Sequence, residues 1–198
     1  MSGIPTVTVD MLDASIPDDF NRWIGYSDEV RWPHYRKEFC TDPVFWKRHE
    51  PPNWAFSLTW AEFRYKDIRD GAHLDAIIAS DKPGLYIFYV RPERLIYPFP
   101  QFALYVGISN ESDSGRPLRK RLRDYLPDVI TKKKKRENID RMVRLYYGVL
   151  WVAYTLSDRA SADLELLEKN LHGFIHPPYD RRDFPVDIKT QQKRFGEI

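Results

Sequence analysis

The chain has 198 residues and a formal net charge of +2, with 42% of residues apolar and 15% aromatic. That length can bury one sizeable core, and no apolar run approaches the roughly 18–20 residues that span a bilayer, which argues against a membrane partner. Met1-Ser2-Gly3-Ile4-Pro5 lacks the basic start and apolar core of a signal peptide, and the lone Cys40 cannot form an internal disulfide, so a reducing cytoplasm is the expected compartment.

Residues 1–80 read as an aromatic-rich extension packed on a core formed by residues 81–198. The extension carries nine Lys/Arg against thirteen Asp/Glu, six prolines, and Trp23, Trp32, Trp46, Trp54 and Trp60. So many rings are unexpected in a disordered tail, and Tyr35 to Trp46 and Phe56 to Ile68 are its most ordered-looking pieces. Ala72 to Ser80 reads as a short helix, broken by Asp81-Lys82-Pro83-Gly84. Gly84 to Arg91 and Phe102 to Ser109 are rich in aromatic and β-branched residues and read as strands. Pro92, Pro98 and Pro100 lie in the long connection between them.

A helix follows from near Ser114-Gly115-Arg116-Pro117 and stops before Pro127. A third strand is expected at Val143 to Tyr154, and a second long helix from Ser157 or Ser161 to about Ile175, ended by Pro177-Pro178. The order predicts an α+β domain with a small, mainly antiparallel, three-stranded sheet flanked by helices.

Helical spacing singles out two charged residues. Leu118, Leu122, Tyr125 and Leu126 form an apolar stripe, and Arg121 lies at its edge, one turn from Tyr125. Arg119, Lys120 and Arg123 point elsewhere, toward water or a phosphate backbone. In the later helix Leu164, Leu167, Leu171, Phe174 and Ile175 make the stripe, with Glu168 at its margin. A carboxylate there needs a partner, a metal or a route to water. Along the strands, Tyr86 shares a face with Phe88 and Val90, and Tyr105 shares one with Gly107, whose missing side chain would let a substrate backbone approach.

The charge is uneven. Residues 116–144 hold twelve Lys/Arg against four Asp/Glu, including Lys132, Lys133, Lys134, Lys135 and Arg136. Such a block is the electrostatic footprint of a polyanion, and its contacts would add affinity without sequence information. His172 and His176 stand four apart, a spacing that also suits zinc, though no third ligand is evident.

Gly84-Leu85-Tyr86, Tyr105-Val106-Gly107, the arginine helix and Leu166-Leu167-Glu168-Lys169-Asn170-Leu171, in that order, resemble the GIY-YIG nuclease family over about residues 82–180. The pattern is similar to the nuclease domain of the bacterial excision-repair incision subunit. Its longer linkers are more like those of the family's restriction endonucleases. The resemblance implies phosphodiester hydrolysis of DNA, single- or double-stranded, with RNA a lesser expectation and a homodimer possible. It implies that Tyr86 and Tyr105 bracket the attacking water, one as general base. Arg121 would bind the scissile phosphate, Tyr125 would hydrogen-bond near it, and Glu168 would hold one Mg²⁺, or Mn²⁺. Asp180 stands where the family carries asparagine, either as a second acidic group near the metal or as a cap. A restriction or phage-defence role follows by analogy, and the alternative is a module that binds nucleic acid or protein without cleaving.

Overall fold

The computed structural model describes residues 47–91, 102–126, 129, 137–180, 186 and 190, all within the compact unit Thr41–Ile198. Trp23, Trp32, Trp46, Cys40, the Tyr35 to Trp46 segment, Pro92, Pro98, Pro100 and the Lys132–Arg136 run lie outside the described residues.

Four strands, β1 (Ala61–Arg64), β2 (Gly84–Val90), β3 (Phe102–Ile108) and β4 (Leu150–Leu156), form one sheet in the order β1-β4-β2-β3. Every neighbouring pair is antiparallel. Among the described residues it is flanked by the α-helices α1 (Gly71–Ile77), α2 (Leu118–Arg123), α3 (Glu137–Tyr146) and α4 (Ser161–Ile175). The architecture is α+β, as the element order predicts, but the sheet has four strands rather than three. The added edge strand comes from Ala61-Glu62-Phe63-Arg64, whose two charged residues mask any strand signal. It is secured largely by polar bonds. Glu62 accepts from the Tyr89 hydroxyl at 2.5 Å and from Arg91 Nη1 at 2.6 Å, and Arg64 Nη2 donates to the Gly148 carbonyl at 2.6 Å.

The expected strand from Val143 begins only at Leu150; residues 143–146 are the end of α3. Ile139, Met142 and Val143 are buried at helical spacing, and Arg144 Nε bonds Asp140 one turn back at 2.8 Å. These helical contacts outweigh the β propensity of the Val-Leu-Tyr-Tyr composition.

The sheet is covered on both faces. On one, Tyr86 and Phe88 of β2 and Leu150, Val152 and Tyr154 of β4 pack with Leu74 of α1, Leu118 and Leu122 of α2, and Met142 and Val143 of α3. On the other, Leu85, Val106 and Ile108 meet Leu164 and Leu167 of α4, with Trp54, Ala55 and Leu58 alongside. Phe174, assigned by spacing to the buried stripe of α4, is 42% exposed. It lies at the far margin of that stripe, opposite the flank that carries Glu168.

Two local features fix how β2 is placed. Asp70 caps α1, its Oδ1 accepting the His73 N–H at 2.8 Å. Gly84 opens β2 so close to β4 that a Cβ there would collide with the Thr155 carbonyl. Among the described residues no helix is long and apolar enough to cross a membrane.

Candidate active site

Three tyrosines and an arginine converge on the first face of the sheet. Tyr86 comes from β2, Tyr105 from β3, Arg121 from α2, and Tyr125 from the turn just after α2. The Tyr86 and Tyr125 hydroxyls are 2.5 Å apart, and the Tyr125 hydroxyl donates to that of Tyr105 at 3.4 Å. Arg121 Nε donates to the Tyr86 hydroxyl at 3.2 Å. The rings support one another, with centroids 5.5 Å apart for Tyr86 and Tyr125, and 6.0 Å for Tyr105 and Tyr125. Phe88 closes the cluster from below, 5.3 Å from Tyr125. Tyr65 donates its hydroxyl to the Tyr125 carbonyl, which holds the turn after α2 against the sheet.

Burial divides these residues by what they can touch. Tyr86 and Tyr125 are 0% and 1% exposed, whereas Tyr105 is half-buried and can meet solvent or a ligand. Burial pushes both the Tyr86 and the Tyr105 phenols up; Tyr125 adds to the effect at each, as does the Asp180 carboxylate at Tyr105, and Arg121 only partly offsets the rise. Both are therefore protonated at neutral pH and act as neutral hydrogen-bonding groups.

Gly107 is part of this packing. The space left by its missing side chain is filled by Tyr86: a Cβ at 107 would collide with the phenol oxygen and lie 2.6 Å from Cζ. Gly107→Ala is expected to destabilise the protein by about 2–3 kcal/mol, in the range of overpacked cores. Urea denaturation would show it as a lowered midpoint, and an unchanged midpoint would mean that the Tyr86 ring is not seated there.

Glu168 lies at the outer edge of β3, where it meets the Ile108 N–H. That strand ends the sheet, so every second backbone group faces outward and needs a partner. α4 and the segment after it supply them. The Ile108 N–H donates to Glu168 Oε1 at 3.1 Å, the Val106 N–H to Asp180 Oδ2 at 2.6 Å, and the Tyr179 N–H to the Leu104 carbonyl at 3.0 Å. Of the two roles open to Asp180, the structure displays the cap: its side chain is buried, and Oδ2 also lies 3.2 Å from His172 Nε2.

The buried His172–Asp180 pair was not expected as a unit. The only sequence signal was the position of His172 one turn beyond Glu168 on the same flank of α4. Burial pulls the imidazole pKa down, but the hydrogen bond and charge of Asp180, with Glu168 behind it, outweigh burial and raise it above the ordinary value of about 6.5. A raised folded-state pKa gives stability that is complete below about 6.5 and lost as pH climbs through the folded value. In EDTA, the melting-temperature advantage of wild type over His172→Gln is expected to shrink as pH rises from 6 to 9. An advantage that grows with pH would reverse the assignment. His176, its supposed partner for zinc, ends α4 in the left-handed region at φ 53°. Among the described residues no group of three or more His, Cys, Asp or Glu could hold a metal ion.

The arginines of α2 are less available than their charge suggests. Arg119 Nη2 bonds Asp81 at 2.5 Å, and Arg123 makes a two-point pair with Asp75. Lys120 is exposed. Exposed pairs like these are weak enough for a polyanion to exchange. Arg121 itself pairs with Glu111, Nη2 to Oε1 at 2.7 Å. No sequence feature marks Glu111; it is an acidic residue in a polar loop.

No family model, curated protein or solved structure matches the chain.

Proposed function

We propose that the chain is a metal-dependent endonuclease of GIY-YIG type that hydrolyses DNA phosphodiester bonds. The observation that carries this reading is the hydrogen-bonded series Arg121–Tyr86–Tyr125–Tyr105, which joins residues from two strands, a helix and a turn. A purely structural cluster gains little from placing a guanidinium against buried phenols, whereas a phosphate site needs a fixed cation beside neutral hydroxyls.

Arg121 is the phosphate-binding group. Its Nε is locked on Tyr86, which aims the rest of the fork outward. Tyr105 is the least buried of the three phenols, and it orients the attacking water by accepting a hydrogen bond. Tyr86 and Tyr125 position these two groups and do not contact the substrate themselves. Water adds to phosphorus and gives its proton to solvent, the bond from phosphorus to the 3′ oxygen breaks, and that oxygen leaves as a hydroxyl by taking a proton from solvent. Arg121 offsets the charge that grows on the phosphoryl oxygens.

Glu168 would hold a single Mg²⁺, its carboxylate oriented by the bond from the Ile108 N–H. Mg²⁺ commonly takes one or two carboxylates together with waters and substrate phosphates. When bound, such an ion supplies charge stabilisation for the leaving oxygen.

The test incubates the protein with supercoiled plasmid, circular single-stranded DNA and structured RNA, each with Mg²⁺, Mn²⁺ or EDTA. Cutting of DNA that requires the divalent ion is expected. Binding that persists in EDTA, with no cutting of any substrate, would replace the nuclease by a binding module.

A further inference from the structure

Arg121 already holds an anion. Its Nη2 bonds Glu111 Oε1 at 2.7 Å, and the two side chains differ sharply in depth, 14% exposed for Arg121 against 52% for Glu111. Nε is taken by Tyr86, so Glu111 sits on the part of the fork that is turned outward. A carboxylate oxygen uses the same charge-assisted donors as a phosphate oxygen. We infer that Glu111 is the group a backbone phosphate must displace from Arg121, and that it sets the affinity threshold of the site; this rests on the reading of Arg121 as the phosphate-binding cation.

The loop that presents Glu111 is built to hold its backbone in place. Glu111–Asp113 is a single 3₁₀ turn with positive φ at the residue before it, Asn110 (65°), at its last residue, Asp113 (54°), and at Gly115 (63°). Two of these are not glycine, and such conformations persist only where their surroundings fix them. Here the fixing contacts are visible. Asn110 Oδ1 accepts the Gly115 N–H at 2.6 Å, and the Asn110 carbonyl accepts the Ser161 hydroxyl of α4 at 2.6 Å. The Asp113 N–H donates to the same Ser161 oxygen at 3.4 Å. With the backbone tied to α4, Glu111 can leave Arg121 by side-chain rotation alone.

The exchange has a direction. Arg121 is pinned by Tyr86 and sits within 6.0 Å of the Tyr125 ring, so it stays, while the half-exposed carboxylate returns to water at little loss. Apparent affinity for any phosphate is then reduced by the fraction of molecules in which Arg121 is open. For a partly exposed pair that reduction is about three- to tenfold. A phosphate carried on a polymer meets the threshold through its neighbouring contacts, and a lone anion does not.

The experiment measures binding of a short fluorescent oligonucleotide, single-stranded and duplex, in EDTA at fixed low salt. Glu111→Gln is expected to bind about three- to tenfold tighter than wild type. Asp113→Asn, which removes an equal charge from the same turn, should change affinity by less than twofold. The gain from Glu111→Gln should vanish when Arg121→Gln is added. Should that double variant fail to fold, the contrast between Glu111→Gln and Asp113→Asn decides alone. Equal affinities for wild type and Glu111→Gln overturn the inference, as does an equal gain in Asp113→Asn or no binding by any variant. Cleavage with Mg²⁺ is scored separately. A protein that shows the binding pattern but never cuts keeps Glu111 as the displaced group and loses the nuclease reading; one that cuts without the binding pattern does the reverse.

Discussion

Glu168→Gln is expected to lower DNA cleavage in Mg²⁺ by about a thousandfold or more, since the loss of charge stabilisation at a metal site amounts to several kcal/mol. The substitution separates the capping role that Glu168 has in the structure from the metal-binding role proposed for it. As a cap, Glu168 accepts the Ile108 N–H at 3.1 Å and satisfies the exposed edge of β3. A glutamine oxygen accepts the same bond, so the edge remains covered and the urea midpoint should move little. What disappears is the negative charge. Single-turnover cleavage measured beside a urea melt therefore distinguishes them. If cleavage stays within tenfold of wild type, Glu168 is an edge cap and nothing more.

Much of this site was legible because it lies on elements whose periodicity is strong. The alternation of β2 puts Tyr86 and Phe88 on one face and Leu85 and Ile87 on the other, and the two cores divide along that line. The stripe of Leu118, Leu122, Tyr125 and Leu126 is buried throughout, even though α2 ends at Arg123 and Tyr125 reaches the core from a turn. Where competing signals overlapped, composition misled: Val143 to Tyr147 has the residues of a strand, but Ile139, Met142 and Val143 have the spacing of a helix, and tertiary burial decided for the helix. β1 was illegible because its bonds run from Glu62 to Tyr89 and Arg91, and no local pattern encodes a partner about thirty positions away. The same holds for Asp180. Its role as a cap depends on α4 and the following segment bringing it to Val106, and on His172 being there to share its charge. Glu111 was the least legible, because its importance comes entirely from the side chain that it meets.

Arg121→Lys is expected to reduce the rate of cleavage by about a hundredfold while leaving DNA affinity within about threefold. The charge is retained, and long-range attraction to a phosphate backbone depends chiefly on charge. The fork is not retained. In wild type, Nε is occupied by Tyr86 at 3.2 Å while Nη2 reaches outward to the position that Glu111 holds. An ammonium has donors on one atom only, so it cannot sit against Tyr86 and present a second, rigidly aimed donor to phosphorus-bound oxygens. The deficit should therefore appear in kcat, where charge grows on those oxygens, rather than in KM. The opposite split, a raised KM with kcat preserved, would make Arg121 a simple electrostatic anchor. In that case the phenol series would have to orient the reaction without a guanidinium, and the assignment of Tyr86 as the residue that aims Arg121 would fail with it.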